Sequence, residues 1–215
     1  MRLRKKPGAL EKLSEHPSIV IPDPEQYKGR WFEAFEGSNH RPLHVEFGTG
    51  KGQFLRDMSD RFPDVNYVGV EKYESVLVTA LEKNIENHRG KVCFIHGDVR
   101  EATTIFAPGE IDRIYLNFMD PWPKARHSKR RLTHKDFLEM YRTMLHENGE
   151  IHLKTDNEGL FEYSLQSFSE NGYQLKNIRV NLHRNEPEDN VRTEYEEKFS
   201  TKGQPIFRTE AFLPK

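Results

Sequence analysis

The chain has 215 residues, long for one hydrophobic core and ordinary for one α/β domain. Its 33 Lys and Arg against 34 Asp and Glu leave a net charge of −1, so a nucleic-acid partner must be read from local charge and not from overall basicity. No apolar run is long enough to span a bilayer, the start MRLRKKPGAL lacks the apolar core of a signal peptide, and the lone Cys93 sits in VCFI as a small buried hydrophobe. We therefore expect a soluble, cytoplasmic protein without disulfides.

Residues 1–40 read as an irregular arm or edge segment. It is basic at Arg2, Arg4, Lys5 and Lys6, broken by Pro7, Pro17, Pro22 and Pro24, and anchored by Trp31 and Phe32. From residue 43 an alternation begins. LHVEFG, VNYVGVE, KVCFIHGD and IDRIYLNFMD are short β-rich runs that end near Gly or an acid. The segment from Gly52 to Phe62, SVLVTALEKNIEN and LFEYSLQSFSENG carry helical spacing, the last stopping at Gly172. EIHLKTD is a fifth strand; YQLKNIRVNLH and PIFRTEAFL are two more with no helix between them, which predicts an antiparallel C-terminal pair. The sum is a mostly parallel, doubly wound seven-stranded sheet with helices on both faces, formed by a single domain over residues 41–215. Ligands of such sheets sit at the carboxyl ends of the strands.

Glu46-Phe47-Gly48-Thr49-Gly50-Lys51-Gly52 joins the first strand to the first helix. A P-loop is excluded because Gly52 follows Gly50-Lys51 where Ser or Thr is required, and the dinucleotide fingerprint fails at Gln53. A plain structural turn is the competing reading. Against it stand acids at successive strand ends: Glu46, Glu71 and Asp98. An acid ending the second strand can accept both ribose hydroxyls, and one after the third can accept from an adenine amino group. Glu46 beside the turn would repel a pyrophosphate and suits a cationic ligand, which favours S-adenosylmethionine over a dinucleotide.

Asp120 ends the fourth strand and is expected to face the same crevice as Glu46 and the Gly turn. Pro121 and Pro123 stiffen the backbone around Trp122, giving an acid and an aromatic face for a planar base, although a turn with a buried Trp is the simpler account. Lys124, Arg126, His127, Lys129, Arg130, Arg131 and His134 follow at once. A basic block on such a loop, in a chain of balanced charge, reads as a contact with a phosphate backbone that Lys135 and the basic arm could extend. His40, His44, His127 and His134 have no metal-ligand spacing, so no metal is expected.

DPWPKARHSKRR, together with EFGTGKGQF, TDN and TEYEEKF, closely resembles the bacterial tRNA (guanine-N7-)-methyltransferases from about residue 40 onward. The resemblance implies a class I, Rossmann-like methyltransferase fold, S-adenosylmethionine as methyl donor, and the guanosine of the tRNA variable loop as substrate. It implies that Glu46, Gly48, Gly50, Glu71, Asp98 and Asp120 bind the methyl donor, with Asp120 also catalytic. Lys124, Asp156, Thr193, Glu194, Tyr195 and Glu196 would contact the substrate, and Arg126, His127, Ser128, Lys129, Arg130 and Arg131 the RNA. A monomer and a homodimer both remain open. So do a methyltransferase acting on another nucleic acid or an amino group, and a catalytically idle RNA-binding module.

Overall fold

The computed structural model describes residues 6–35, 37, 41–85 and 91–214; Arg2, Arg4, Lys5 and His40 lie outside the described residues. Seven strands form a sheet in the order β3-β2-β1-β4-β5-β7-β6. They are β1 (Leu43–Phe47), β2 (Asn66–Glu71), β3 (Val92–His96), β4 (Ile111–Asn117), β5 (Leu145–Thr155), β6 (Gln174–Arg179) and β7 (Phe207–Phe212). The chain divides into two compact units, Met1–Ala107 and Pro108–Lys215.

In the first unit β1 pairs with β2 and β2 with β3, all parallel. The strands are buried on both faces, which is why they read as near-continuous apolar runs rather than as alternation. Helix α1 (Ala9–Ser14) belongs to the arm. Helices α2 (Gln53–Arg61) and α3 (Glu74–Ile85) follow β1 and β2, burying Phe54, Leu55 and Met58 on one and Leu77, Val78 and Leu81 on the other. Helix α4 (Ala102–Ile105) is a single turn after β3. The arm packs α1 on α3 and extends residues 19–21 beside β3, where the Ile21 amide donates to the Phe94 carbonyl at 2.9 Å and the Phe94 amide to Ile19 at 2.7 Å. Trp31 fastens it further: its ring is fully buried, its Nε1 donates to the Ile105 carbonyl at 3.1 Å, and Phe106 lies 5.4 Å from it.

In the second unit β4 pairs parallel with β5, and β7 runs antiparallel between β5 and β6. The expected antiparallel end is present, with β7 alone reversed. Helix α6 (Glu158–Glu170) packs on β5, β6 and β7 and starts at Asn157, whose side chain accepts from the Leu160 amide at 2.8 Å. Besides α1 and α4 of the first unit, two helices of this one were not expected from the sequence. Helix α5 (Lys135–Met144) connects β4 to β5 and buries Phe137, Leu138, Tyr141 and Met144. Helix α7 (Glu194–Ser200) begins at Thr193 with a full capping box to Glu196. In β6 the register slips between Lys176 and Arg179, with Asn177 at φ +53°. Among the described residues no helix is long and apolar enough to cross a membrane.

Candidate active site

The Gly turn after β1 is a left-handed loop: φ is +78° at Gly48, +59° at Gly50 and +70° at Gly52. Side chains added at Gly48 or Gly50 would meet nothing within 4 Å, so these two residues present bare backbone to open space. Gly52 differs, because a Cβ there would fall 2.8 Å from Phe94 Cζ and 2.9 Å from the Ala80 methyl. It is the residue that lets the start of α2 press onto β3.

Carboxylates frame the turn. Glu46 is 3% exposed and accepts from Thr49 Oγ1 at 2.6 Å. Glu71, at the end of β2, accepts from the Gly50 amide at 3.0 Å and the Tyr73 amide at 2.9 Å. Burial pushes its pKa up, against the pull of those amides. Asp98 accepts from Arg100 (Nη2 at 2.5 Å, backbone N at 3.1 Å) and from Lys72 Nζ at 2.7 Å. The Arg100 guanidinium, helped by Lys72, holds the Asp98 carboxyl well below the usual carboxylate range. The first unit thus draws Glu46, Gly48, Gly50 and Glu71 into one constellation. An open Gly turn flanked by two buried carboxylates fits the adenosine and the ammonium of S-adenosylmethionine and would repel a phosphate.

In the second unit, β4 runs into a loop with two non-glycine residues in the left-handed region, Phe118 at φ +50° and Trp122 at +41°. They bracket Met119, Asp120 and Pro121, and Asp120 is exposed. The basic residues after the loop are not equivalent. Residues 125–130 form a 3₁₀ turn with Lys124, Arg126, Lys129 and Arg130 exposed and His127 and Ser128 half-buried. Arg130 lies over the Trp122 ring at 4.7 Å, and His127 meets the ring edge-on at 5.8 Å. Arg131 turns inward and donates to the Pro121 and Trp122 carbonyls. His134, grouped in the sequence with the phosphate-facing run, is buried as the N-cap of α5, its Nδ1 accepting from the Asp136 amide.

Asp156 follows β5 and is half-buried. The Thr193–Glu196 segment splits by direction. Tyr195 is 52% exposed, stacking on Phe118 at 6.1 Å and on Phe199 at 6.1 Å. Glu196 is 0% exposed: it accepts from Lys154 Nζ at 2.9 Å and from Asn190 Nδ2 at 2.8 Å, and its other contact is His183 Nε2 at 2.8 Å. Burial alone would raise its pKa; the charge of Lys154 and the bonds from His183 and Asn190 win and hold it below its ordinary value. Lys154 also donates to the Val191 carbonyl at 2.9 Å, so it ties the whole turn before α7 to β5. Lys154, His183, Asn190 and Phe118 were not anticipated. Only the capping-box spacing Thr193-x-x-Glu196 signals in the sequence that Glu196 faces inward. Two His–carboxylate clusters, Glu150–His152–Glu210 and His183–Glu186–Glu196, are close enough to share a cation, and both already face Lys or Arg side chains.

Solved structures share this fold: an antibiotic-related methyltransferase superposes with a TM-score of 0.57 at 13% identity, covering 79% of this chain and 85% of that one. The architecture is that of a class I methyltransferase. A family model described as "Putative methyltransferase" matches residues 40–209. The tRNA (guanine-N(7)-)-methyltransferase of Geobacillus thermodenitrificans is 54% identical over 214 residues, spanning 100% of this chain and 98% of that protein. That of Lysinibacillus sphaericus is 52% identical over 217 residues, covering 100% of both. The chain belongs to the tRNA (guanine-N7-)-methyltransferase family.

Proposed function

We propose that this enzyme transfers a methyl group from S-adenosylmethionine to N7 of a guanosine in the tRNA variable loop. The observation that carries the reading is the end-to-end identity of 54% with a tRNA (guanine-N(7)-)-methyltransferase. The chemistry of the residues supports it. Bound S-adenosylmethionine supplies an electrophilic methyl on a sulfonium. Glu46 attracts its ammonium, Glu71 its ribose hydroxyls and Asp98 its adenine amino group, while the bare backbone at Gly48 and Gly50 allows close approach. Lys72 and Arg100 must share the Asp98 carboxylate with that amino group.

Guanine N7 has an in-plane lone pair and no proton at neutral pH, so no side chain need act as a base. The work left to the chain is alignment, with reacting atoms about 3 to 3.5 Å apart. Positive charge moves from sulfur to the imidazole ring as the new bond forms, and the Asp120 carboxylate favours it there. Asp156 and Glu194 offer acceptors for the guanine N1–H and N2 amino group, Lys124 a donor for O6, and Tyr195 an aromatic face. Thr193 and Glu196 hold that segment in shape. Arg126, His127, Ser128, Lys129 and Arg130 meet the phosphate backbone of the tRNA.

Incubation with methyl-labelled donor and unmodified tRNA, then nucleoside analysis, tests the reading. Label in 7-methylguanosine is expected. Label in another nucleoside, or methyl donor bound with no transfer to tRNA, would overturn it.

A further inference from the structure

The loop that carries Asp120 is held in an unfavourable backbone state. Phe118 and Trp122 both lie at positive φ, a region bulky side chains rarely occupy unless their surroundings enforce it. Pro121 and Pro123 fix only their own φ; neither sets the φ of Trp122 between them. Something else must fasten the loop.

We propose that Arg131 is a positioning residue for methyl transfer: its guanidinium clamps the Pro121 and Trp122 carbonyls and so aims the carboxylate of Asp120. Its Nε donates to the Pro121 carbonyl at 3.1 Å and the Trp122 carbonyl at 3.3 Å, and its Nη2 to Trp122 at 3.0 Å. The guanidinium is itself seated on the Tyr163 ring, with Cζ 4.2 Å from the centroid. Tyr163 belongs to α6, which packs on three strands, so the clamp reaches from the rigid sheet layer to the loop. From the sequence, Arg131 is one more cation in a phosphate-binding run. In the structure its Nε and Nη2 are committed to backbone and its face to an aromatic ring. Arg130, exposed over the Trp122 ring at 4.7 Å, is the neighbour able to swing to a phosphate. A lysine at position 131 would keep the charge but could neither fork between two carbonyls nor lie flat on Tyr163.

This inference rests on the role of Asp120 proposed above. Steady-state kinetics on unmodified tRNA, with tRNA binding measured over a salt series, tests it in the full chain. In Arg131→Ala, kcat should fall about 100-fold, the loss expected from a reacting geometry displaced by about 1 Å. The salt slope of tRNA binding should match the parent protein. Arg131→Lys should recover little of the rate, Tyr163→Leu should lose rate in the same direction, and added methylguanidine should partly restore Arg131→Ala. If Arg131→Ala melts early, the Lys and Tyr163 variants carry the test. Parental kcat in Arg131→Lys, or a loss in Arg131→Ala that falls on tRNA affinity with the salt slope reduced by about one, would overturn the clamp in favour of a phosphate contact. Asp120→Asn separates the two levels. If it is inactive while Arg131→Ala is normal, the clamp alone fails; if it is fully active, the role of Asp120 fails first.

Discussion

Lys154 of β5 and Glu196 of α7 form an ion pair at 2.9 Å, their side chains 8% and 0% exposed. Neither charge is tolerable there alone, and together they dock the turn bearing Thr193, Glu194 and Tyr195. Lys154→Met or Glu196→Gln should each cost about 3 to 5 kcal/mol in urea unfolding, because each leaves the partner's buried charge without its counter-charge. The double variant Lys154→Met/Glu196→Leu should regain most of that stability and still bind guanosine poorly. A double variant as unstable as the worse single one would show that the pair is not what couples them.

Asp120→Asn keeps the shape of the loop and removes its charge. Turnover at saturating methyl donor should fall by about 2.7 to 4 kcal/mol of transition-state stabilisation, with an unchanged thermal melt. Single-turnover rates together with circular dichroism read both quantities.

Gly50 and Gly52 separate binding from folding. Gly52→Ala forces a methyl against the Phe94 ring and Ala80 at positive φ, and should destabilise the protein by about 1 to 3 kcal/mol. Gly50→Ala strains the same kind of backbone but has open space above it, so its stability loss should be the smaller and its loss of methyl-donor affinity the larger. Calorimetric titration and chemical melts on both variants give the comparison.

Arg126 and Lys129 are exposed on the 3₁₀ turn after the loop. Replacing both by Ala should weaken tRNA binding and flatten its dependence on log salt by about two, close to one for each phosphate that is no longer neutralised. Affinity measured from low to moderate salt supplies the slope.

Stability should decline with acid in two pH windows. Burial pushes the pKa of His152 below its ordinary 6.5, despite Glu150 at 2.9 Å. The unfolded chain therefore takes up this proton first, and stability falls as pH drops below about 6.5. Glu150 is held down at about 2 by the His152 bond and by Lys176, against an ordinary 4.5, so stability present above 4.5 is lost as pH falls towards 2. Urea midpoints taken against pH should show both declines, and Glu150→Gln should flatten the lower one.

The strands were legible because each is an apolar run punctuated by Gly or an acid, and α2, α3 and α6 because their apolar spacing is clean. Helix α5 was missed although Phe137, Leu138, Tyr141 and Met144 are helically spaced, because it starts inside a basic run that reads as surface. Glu46, Glu71 and the Gly turn could be placed from strand ends alone. Glu196 could not: its partner Lys154 lies 42 residues away, and acids are buried only when paired. Arg130 and Arg131 are adjacent and chemically identical, and only the fold distinguishes the one that faces solvent from the one that grips the loop.

Terminal strands of an open sheet are templates on which a second chain can add, and both ends of this one are guarded. At the β6 end the slip at Asn177 interrupts the row of hydrogen-bonding groups. At the β3 end residues 19–21 already occupy Phe94. A version beginning after Ile21 would keep the Gly turn, the strand-end acids and the Asp120 loop and lose that guard, and its fate on expression should be aggregation through β3.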